Sequence, residues 1–194
     1  IGPRINAAGR MESGSTAFDL LIANDDKKCF DIGNQINLIN DERKTLDHSI
    51  TDEAIAQATE EATHSTKKAT VVFSEDWHKG VIGIVASRLI EVFFRPTVVL
   101  TESNGMYSGS ARSVPGFNLY NAVEQCSELL EIFAGHMYAA GLTLRPENYD
   151  EFKARFEKYV TENITEEQLT PGINADMQIE VKNINDKFYR ILKQ

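Results

Sequence analysis

The sequence predicts an α/β fold: a mixed β-sheet flanked by helices and preceded by one long helix, which either bridges two domains or packs within one. Three observations carry that expectation. A proline-free stretch from Asp26 to His64 repeats its apolar residues at helical steps. Two short β-branched runs, Thr70–Ser74 and Thr97–Thr101, are separated by a single amphipathic helix, which is the order of a parallel β-α-β unit. Asn104-Gly105 then turns the chain into a further strand, so the sheet is mixed.

Each element follows in order. Residues 1–14, rich in Gly, Asn and Ser, read as a loop, with Ser15 as N-cap of a short helix over 16–24. The long helix carries Ile36, Ile39, Leu46, Ile50, Ala54, Ala58 and Ala62 mostly at steps of three, four or seven, with Gly33 as the one point where it can break. The helix over Val81–Phe94 stops at Arg95-Pro96, because proline disfavours helical geometry in the residue before it. A third strand follows at about 106–112. Asn118 caps a helix whose apolar face runs from Leu119 through Ala122, Val123, Cys126, Leu129 and Leu130. Ala139–Leu144 is another strand, and Glu147–Asn163 a helix with Phe152, Phe156, Tyr159 and Val160 inward. After Thr170-Pro171-Gly172, alternation over Asn174–Val181 predicts a strand, then a short helical run over 184–193. These last residues are too few to close a core and read as the start of a second unit or an appendage on the first.

Composition narrows the class. Hydrophobic residues make up 42% and charged ones 25% of the 194, ordinary for a globular protein. No run reaches the ~18 apolar residues of a membrane span and no signal-peptide pattern opens the chain, so a cytoplasmic protein with no membrane partner is expected. Cys29 and Cys126 lie far apart beside helical patterns, as reduced core thiols do. The chain opens on Ile1, as expected of a piece of a longer protein. The net charge of −9 is unevenly spread. Residues 41–64 hold seven acids and two bases, and residues 147–167 seven acids and three bases. The glycine-rich segments are neutral to basic: 1–10 has Arg4 and Arg10 without an acid, and 103–121 has Arg112 without one. A polyanion can therefore be met locally.

Four segments interrupt the regular patterns. "IGPRINAAGR" sets Arg4, Asn6 and Arg10 in a frame of small residues, where a guanidinium fork suits phosphate; a plain chain terminus reads the same way. "DWHKGVIG" places Trp77 and His78 just ahead of a helix N-terminus near Gly80, which favours an anion; Trp77 is open between core anchor and base-stacking platform. "YSGSARSVPG" gathers Ser108, Ser110, Arg112 and Ser113 at a strand end, as a phosphate corner or as solvated loop serines. "FAGHMYAAG" clears bulk from around His136. The four histidines show no HxxxH, HxH or CxxC company, and no Gly-x-Ser-x-Gly elbow occurs, so no metal site is expected in this chain.

Taken in order, "IGPRINAAGR", "WHKGVIGIVASRL" with "RPTVVL", "GSARS" and "AGHMYAAGLTL" resemble the C-terminal half of the RecJ family, single-strand-specific 5′→3′ DNA exonucleases of the DHH phosphoesterase superfamily. The resemblance covers roughly residues 1–163. It implies an inter-domain segment and connector helix at 1–64, a DHH-associated α/β domain at 65–168, and the start of an OB-fold region at 169–194. It further implies that a metal-bearing DHH domain of the same polypeptide, binding Mn²⁺ or Mg²⁺, lies outside this chain, which is then inactive alone. Single-stranded DNA would lie between the two domains in repair and recombination, with a repair helicase or single-strand-binding protein as further partners. Arg4, Asn6 and Arg10 would face that groove, with His78 a weaker candidate. Ser110, Arg112 and Ser113 would grip phosphate, and His136, given room by Gly135, would lie against the phosphate approaching the metals as the catalytic group. The family turn usually reads Gly-Gly-His, and Ala134 replaces its first glycine. Associated domains of this kind also occur in alanyl-tRNA synthetases and short-oligonucleotide phosphodiesterases, which are the alternative.

Overall fold

A computed structural model describes residues 2–63, 67–173 and 175–193. The N-terminal stretch expected as a loop is helical: α1 spans Gly2–Met11. Pro3 sits in the first helical turn, where its missing N–H costs nothing. Ala7 and Ala8 are buried, Ala8 in a small core with Ala17 and Ile36, so tertiary packing overrides the loop-like composition. Helix α2 (Gly14–Ile22) is capped by Ser13, two residues before the expected Ser15; its side chain accepts the Ser15 N–H at 3.2 Å.

Helix α3 (Asp26–Thr63) runs unbroken through Gly33 for 38 residues, roughly 57 Å at the usual rise. The expected last residue His64, and the boundary after it, lie outside the described residues. Its N-terminal half holds α1 and α2 through Ile36, and its C-terminal half packs Ile50, Ala54 and Ala58 against the sheet domain. One helix thus joins the two parts of the chain.

The sheet has five strands: β1 (Thr70–Phe73), β2 (Thr97–Ser103), β3 (Met106–Arg112), β4 (Leu130–His136) and β5 (Ala139–Leu144). Their order is β1-β2-β3-β5-β4, with β1 and β2 parallel and the rest antiparallel. Helix α4 (Ile82–Phe93) links β1 to β2 and ends on Phe94 in the left-handed region, φ 47°. Strand β4 was not expected, and it begins on Leu130, the last residue of the helical face expected after Asn118. The helix capped by Asn118 stops early as α5 (Leu119–Glu124), a 3₁₀ turn follows at Ser127–Leu129, and Leu130 already begins the strand. The expected helical face runs to Leu130, where pairing with β5 makes the chain extended instead. Helix α6 (Tyr149–Asn163) buries Phe152, Phe156 and Val160 as expected, with Tyr159 half-buried. No strand forms among the described residues of the tail. Val181–Asn183 is a 3₁₀ turn and α7 spans Asp186–Leu192; Asn174 lies outside the described residues. A strand needs a partner strand, and none of the five in the sheet pairs with the described residues of this segment.

Alternation along the strands gives the sheet two faces. Val71, Val98, Leu100, Ala111, Ala140, Leu142 and Leu144 join α5 and α6 in one core. On the other face Val72 and Val99 pack under α3 and α4 with Val81, Ile82, Val85 and Leu89. That cover reaches across β1 and β2 and, through the first turn of α4, onto β3. Trp77 is a core anchor, 5% exposed, its Nε1–H donated to Glu53 Oε2 at 3.0 Å. Gln57 pairs with Phe73 as a neighbouring strand would, donating to its carbonyl at 3.2 Å and accepting its N–H at 3.1 Å, which closes the β1 edge.

The joint between α3 and α4 is ionic. Asp47, 1% exposed, accepts two 2.8 Å bonds from Arg88 Nε and Nη2 and one of 3.3 Å from Arg43. Breaking a buried pair strands the remaining charge. Arg88→Ala is therefore expected to lower stability by about 2–3 kcal/mol in urea denaturation, toward the low side because Arg43 remains beside Asp47.

A second ionic joint links α3 to α6. Glu61 is bonded by Lys153 at 2.6 Å and Lys67 at 3.0 Å. Burial opposes its ionisation, but the two lysines outweigh burial and hold its carboxyl below the usual 4.5. A depressed folded pKa contributes stability that is present above pH 4.5 and lost as pH falls through the folded value. Glu61→Gln is expected to flatten that part of the acid limb in a pH series of thermal melts.

Candidate functional site

Over β5 and β4 the second face of the sheet has no helix above it, and with the adjoining part of β3 it forms the floor of a cleft of about 660 Å³. The register stacks three rows across that floor: Ser108–Thr143–Ile132, Ser110–Gly141–Ala134, and Arg112–Ala139–His136. The wall opposite is built by Gly9 and Arg10 at the end of α1, His78, Lys79 and Gly80 before α4, and Ile82 and Gly83 in its first turn.

Two glycines let these elements meet. A Cβ on Gly80 would lie 2.0 Å from the carbonyl oxygen of Arg10, so α1 approaches the α4 loop only because that side chain is missing. A Cβ on Gly83 would lie 3.1 Å from both Arg112 Nη2 and Ser110 Oγ, so the guanidinium rests on the first turn of α4.

The cleft is cationic. None of the residues lining it is acidic, and among the described residues neither Arg10 nor Arg112 meets a carboxylate. Arg112 donates from Nη1 to Ser110 Oγ at 3.0 Å and to the Ala111 carbonyl at 2.8 Å. Burial, and then the nearby charge of Arg10, pull its pKa down, although a guanidinium stays protonated at any working pH. Two like charges thus face one space without a counter-ion, which an anion would relieve. Arg10 is steered by a 3.3 Å bond from Nη1 to the Gly80 carbonyl.

Around the helix N-terminus expected to favour an anion, four N–H groups already have acceptors. Helix α4 begins at Ile82; the N–H groups of Val81 and Ile82 go to the His78 carbonyl, and those of Ile84 and Val85 to the Val81 carbonyl.

The two histidines share one arrangement. His78 Nδ1 accepts the Gly80 N–H at 3.1 Å, and His136 Nδ1 accepts the Tyr138 N–H at 3.3 Å. In each neutral ring Nε2 then carries the proton and is the donor. His78 lines the cleft. His136 is exposed, on the Arg112 row two strands away, about 10 Å at the usual strand spacing, just past the cleft residues Ile132 and Ala134. Its turn is pinned to the Arg112 segment by bonds from Ser113 N–H to the Tyr138 carbonyl (3.1 Å) and from Leu119 N–H to the Met137 carbonyl (3.0 Å).

The structure brings Arg10, His78, Ser110 and Arg112 together and leaves the other candidates outside the cleft lining. Arg4 lies on another side of α1, bonded through Nε to Asn37 of α3. Asn6 lines a separate hollow of about 220 Å³ with Arg10, Arg43 and Ile84. Ser113 spends its hydroxyl on the Phe117 carbonyl at 2.9 Å. Gly135 has a structural reason to lack a side chain, since a Cβ there would lie 2.4 Å from the Ala139 carbonyl oxygen. The open ground is at Gly141, where a Cβ would meet nothing within 4 Å. Ala134, the departure from the Gly-Gly-His pattern, fits because it lines the open cleft. The sequence reading missed Lys79, Gly83, Gly141, Thr143 and Ile132 as cleft residues. Alternation with Ser108 and Ser110 pointed at one face of β3, but no strand was expected over 131–136, which hid Ile132.

Among the described residues no group of three or more His, Cys, Asp or Glu can hold a metal ion, and a cleft walled by arginines with no acid is unsuited to a divalent cation. No helix among the described residues is long and apolar enough to cross a membrane.

A mixed five-stranded sheet with this helical cover and cleft defines a class of domain, and the chain belongs to it: the DHHA1 domain family model matches residues 48–162. The particular proteins it is similar to are RecJ nucleases. It is 37% identical over 186 residues to the single-stranded-DNA-specific exonuclease RecJ of Bacillus subtilis (strain 168), covering 95% of this chain and 23% of that protein. The Haemophilus influenzae RecJ is 32% identical over 201 residues, covering 100% of this chain and 35% of that one. The crystal structure of RecJ with Mg²⁺ from Thermus thermophilus superposes with a TM-score of 0.75 at 31% identity, over 82% of this chain and 24% of that one. The chain spans about a quarter to a third of the length of these relatives.

The close approach at Gly80 gives a direct check. Gly80→Ala is expected to cost about 1–3 kcal/mol in thermal or urea denaturation, because backbone has to yield. Gly141→Ala, with open space before it, is expected to change stability by less than about 0.5 kcal/mol.

Proposed function

We propose that this cleft holds single-stranded DNA by its phosphates, and that the chain is the substrate-binding part of a RecJ-like 5′→3′ exonuclease acting in DNA repair and recombination. The observation that carries the proposal is the acid-free cleft in which Arg10 and Arg112 stand without counter-ions above an open, small-residue sheet face. The RecJ relatives support it over a synthetase-like or short-oligonucleotide role.

In this reading Arg112 and Ser110 grip one phosphate, Arg10 and His78 meet the strand from the opposite wall, and the Nε2–H of His136 reaches the phosphate next along. Such donors neutralise charge developing on phosphoryl oxygens as a phosphodiester bond is cut. Arg4, Asn6 and Ser113 flank the groove rather than line it. Mn²⁺ or Mg²⁺ belongs to a DHH domain supplied by the rest of the polypeptide. RecJ structures are known with both ions. Phe18, Leu21, Ile22, Phe30 and Leu38 stand exposed on α2 and α3, an apolar surface that such a domain would cover. Residues 169–194 would begin an OB-fold region, with a single-strand-binding protein or helicase as further cytoplasmic partners.

Fluorescence anisotropy with a labelled single-stranded oligonucleotide tests the proposal. Arg112→Ala is expected to weaken binding about tenfold and to lower the slope of log K against log salt by about one. Gly141→Val is expected to leave the fold intact by circular dichroism while weakening binding, since its side chain would stand in the cleft. With Mn²⁺ the isolated chain is expected to leave the strand uncut. Unchanged affinity in both variants would remove the cleft from the account, and digestion by the pure chain would overturn its dependence on another domain.

A further inference from the structure

The two sides of the cleft differ in chemistry. Arg10, His78, Lys79 and Arg112 line one side, where α1 and α4 meet β3. On the far side, strand β4 contributes Ile132 and Ala134 and β5 contributes Gly141. Ile132 is 69% exposed although it lies within the sheet and lines the cleft. A large aliphatic side chain left bare on the floor of a cationic cleft has no role in the cores of this chain, and neither of the two sheet-packed cores includes it. Its neighbours across the sheet are Thr143 and then Ser108, so no bulk separates it from the cationic side. Two strand spacings, about 10 Å, lie between the β3 and β4 columns.

We propose that Ile132 is a base-contacting residue: the nucleic-acid strand lies with its phosphates toward Arg112 and Arg10 and its bases over Gly141 and Ala134, against Ile132. This rests on the single-strand reading of the cleft and goes beyond it, because it assigns the apolar side of the substrate to a named residue. The charge pattern selects this occupant. A single strand presents anions along one side and apolar base faces along the other, whereas a polyanion without bases would leave Ile132 in water. The small residues in the middle rows let a flat base come close to the sheet, and contact with any base face makes the preference independent of sequence. Gly141 therefore serves the ligand in this arrangement, while Gly135 serves the hairpin.

The test compares two labelled oligonucleotides of equal length and charge, one with all its bases and one with a central run of abasic nucleotides, binding to the 194-residue protein. The wild type is expected to bind the complete strand about five- to tenfold more tightly, from burial of the Ile132 side chain against base surface. Ile132→Ala, on an exposed strand position and checked by circular dichroism, is expected to bring the two strands close to parity by weakening only the complete one, with the salt dependence unchanged. If the wild type binds both strands equally, or Ile132→Ala keeps the wild-type ratio, the base-contact assignment is overturned and the phosphate reading stands. If neither strand binds, the phosphate reading fails and this inference fails with it.

Discussion

The carboxylate of Asp47 ties the connector helix to the helix that walls the cleft, and the geometry of the site depends on that tie. Arg88 approaches it through two nitrogens at 2.8 Å, which fixes orientation as well as distance. Helix α4 is thereby held along α3, and α3 in turn carries α1 through Ile36 and Ala8. Arg10 and Arg112 come from sequence positions about a hundred residues apart, yet both reach one space because α3 spans the distance between their supports. Trp77 and Gln57 add further bonds between α3 and the β1 end of the sheet, so the loop bearing His78 and Lys79 is anchored from behind.

The cleft itself comes from incomplete cover. Helices α3 and α4 shield β1 and β2, and Gly83 lets α4 lean onto β3, but β5 and β4 have no helix above them on that face. The exposed residues on that face of β5 and β4 are small apart from Ile132 and His136. Acidic residues are concentrated on α3 and α6, away from the cleft lining, which reconciles a net charge of −9 with an anion-binding surface. The net charge of the chain opposes a polyanion, whereas the proposed cleft would attract one. Association is for that reason expected to be governed by the local field and to weaken with salt.

Much of the architecture was legible in the sequence, because it rests on local pattern. The long helix, the β-α-β unit, the Asn104-Gly105 turn and the buried face of α6 all follow from periodicity and turn chemistry. The errors share one cause, tertiary context. Helix α1 forms from a Gly- and Asn-containing segment because Ala7 and Ala8 find a surface to pack on. Leu130–His136 becomes a strand because β5 pairs with it, although Leu129 and Leu130 complete a helical spacing. Alternation over Asn174–Val181 predicts a strand that has no neighbour to pair with. Within the site, Arg112, Ser110 and His78 were marked by residue type, whereas Ile132 and Gly141 became visible only through register. His136 was singled out for its empty surroundings, and the glycine beside it turns out to be required by the hairpin.

The central claim is that one face of the sheet, bounded by α1 and α4, receives a single nucleic-acid strand. Amide chemical-shift mapping of the isotope-labelled protein, titrated with a short single-stranded oligonucleotide, tests it most directly. The account predicts that the perturbed amides cluster at Arg10, His78–Gly83, Ser108–Arg112, Ile132–His136 and Gly141. Shifts confined to the acidic faces of α3 and α6, or none at saturating oligonucleotide, would contradict it.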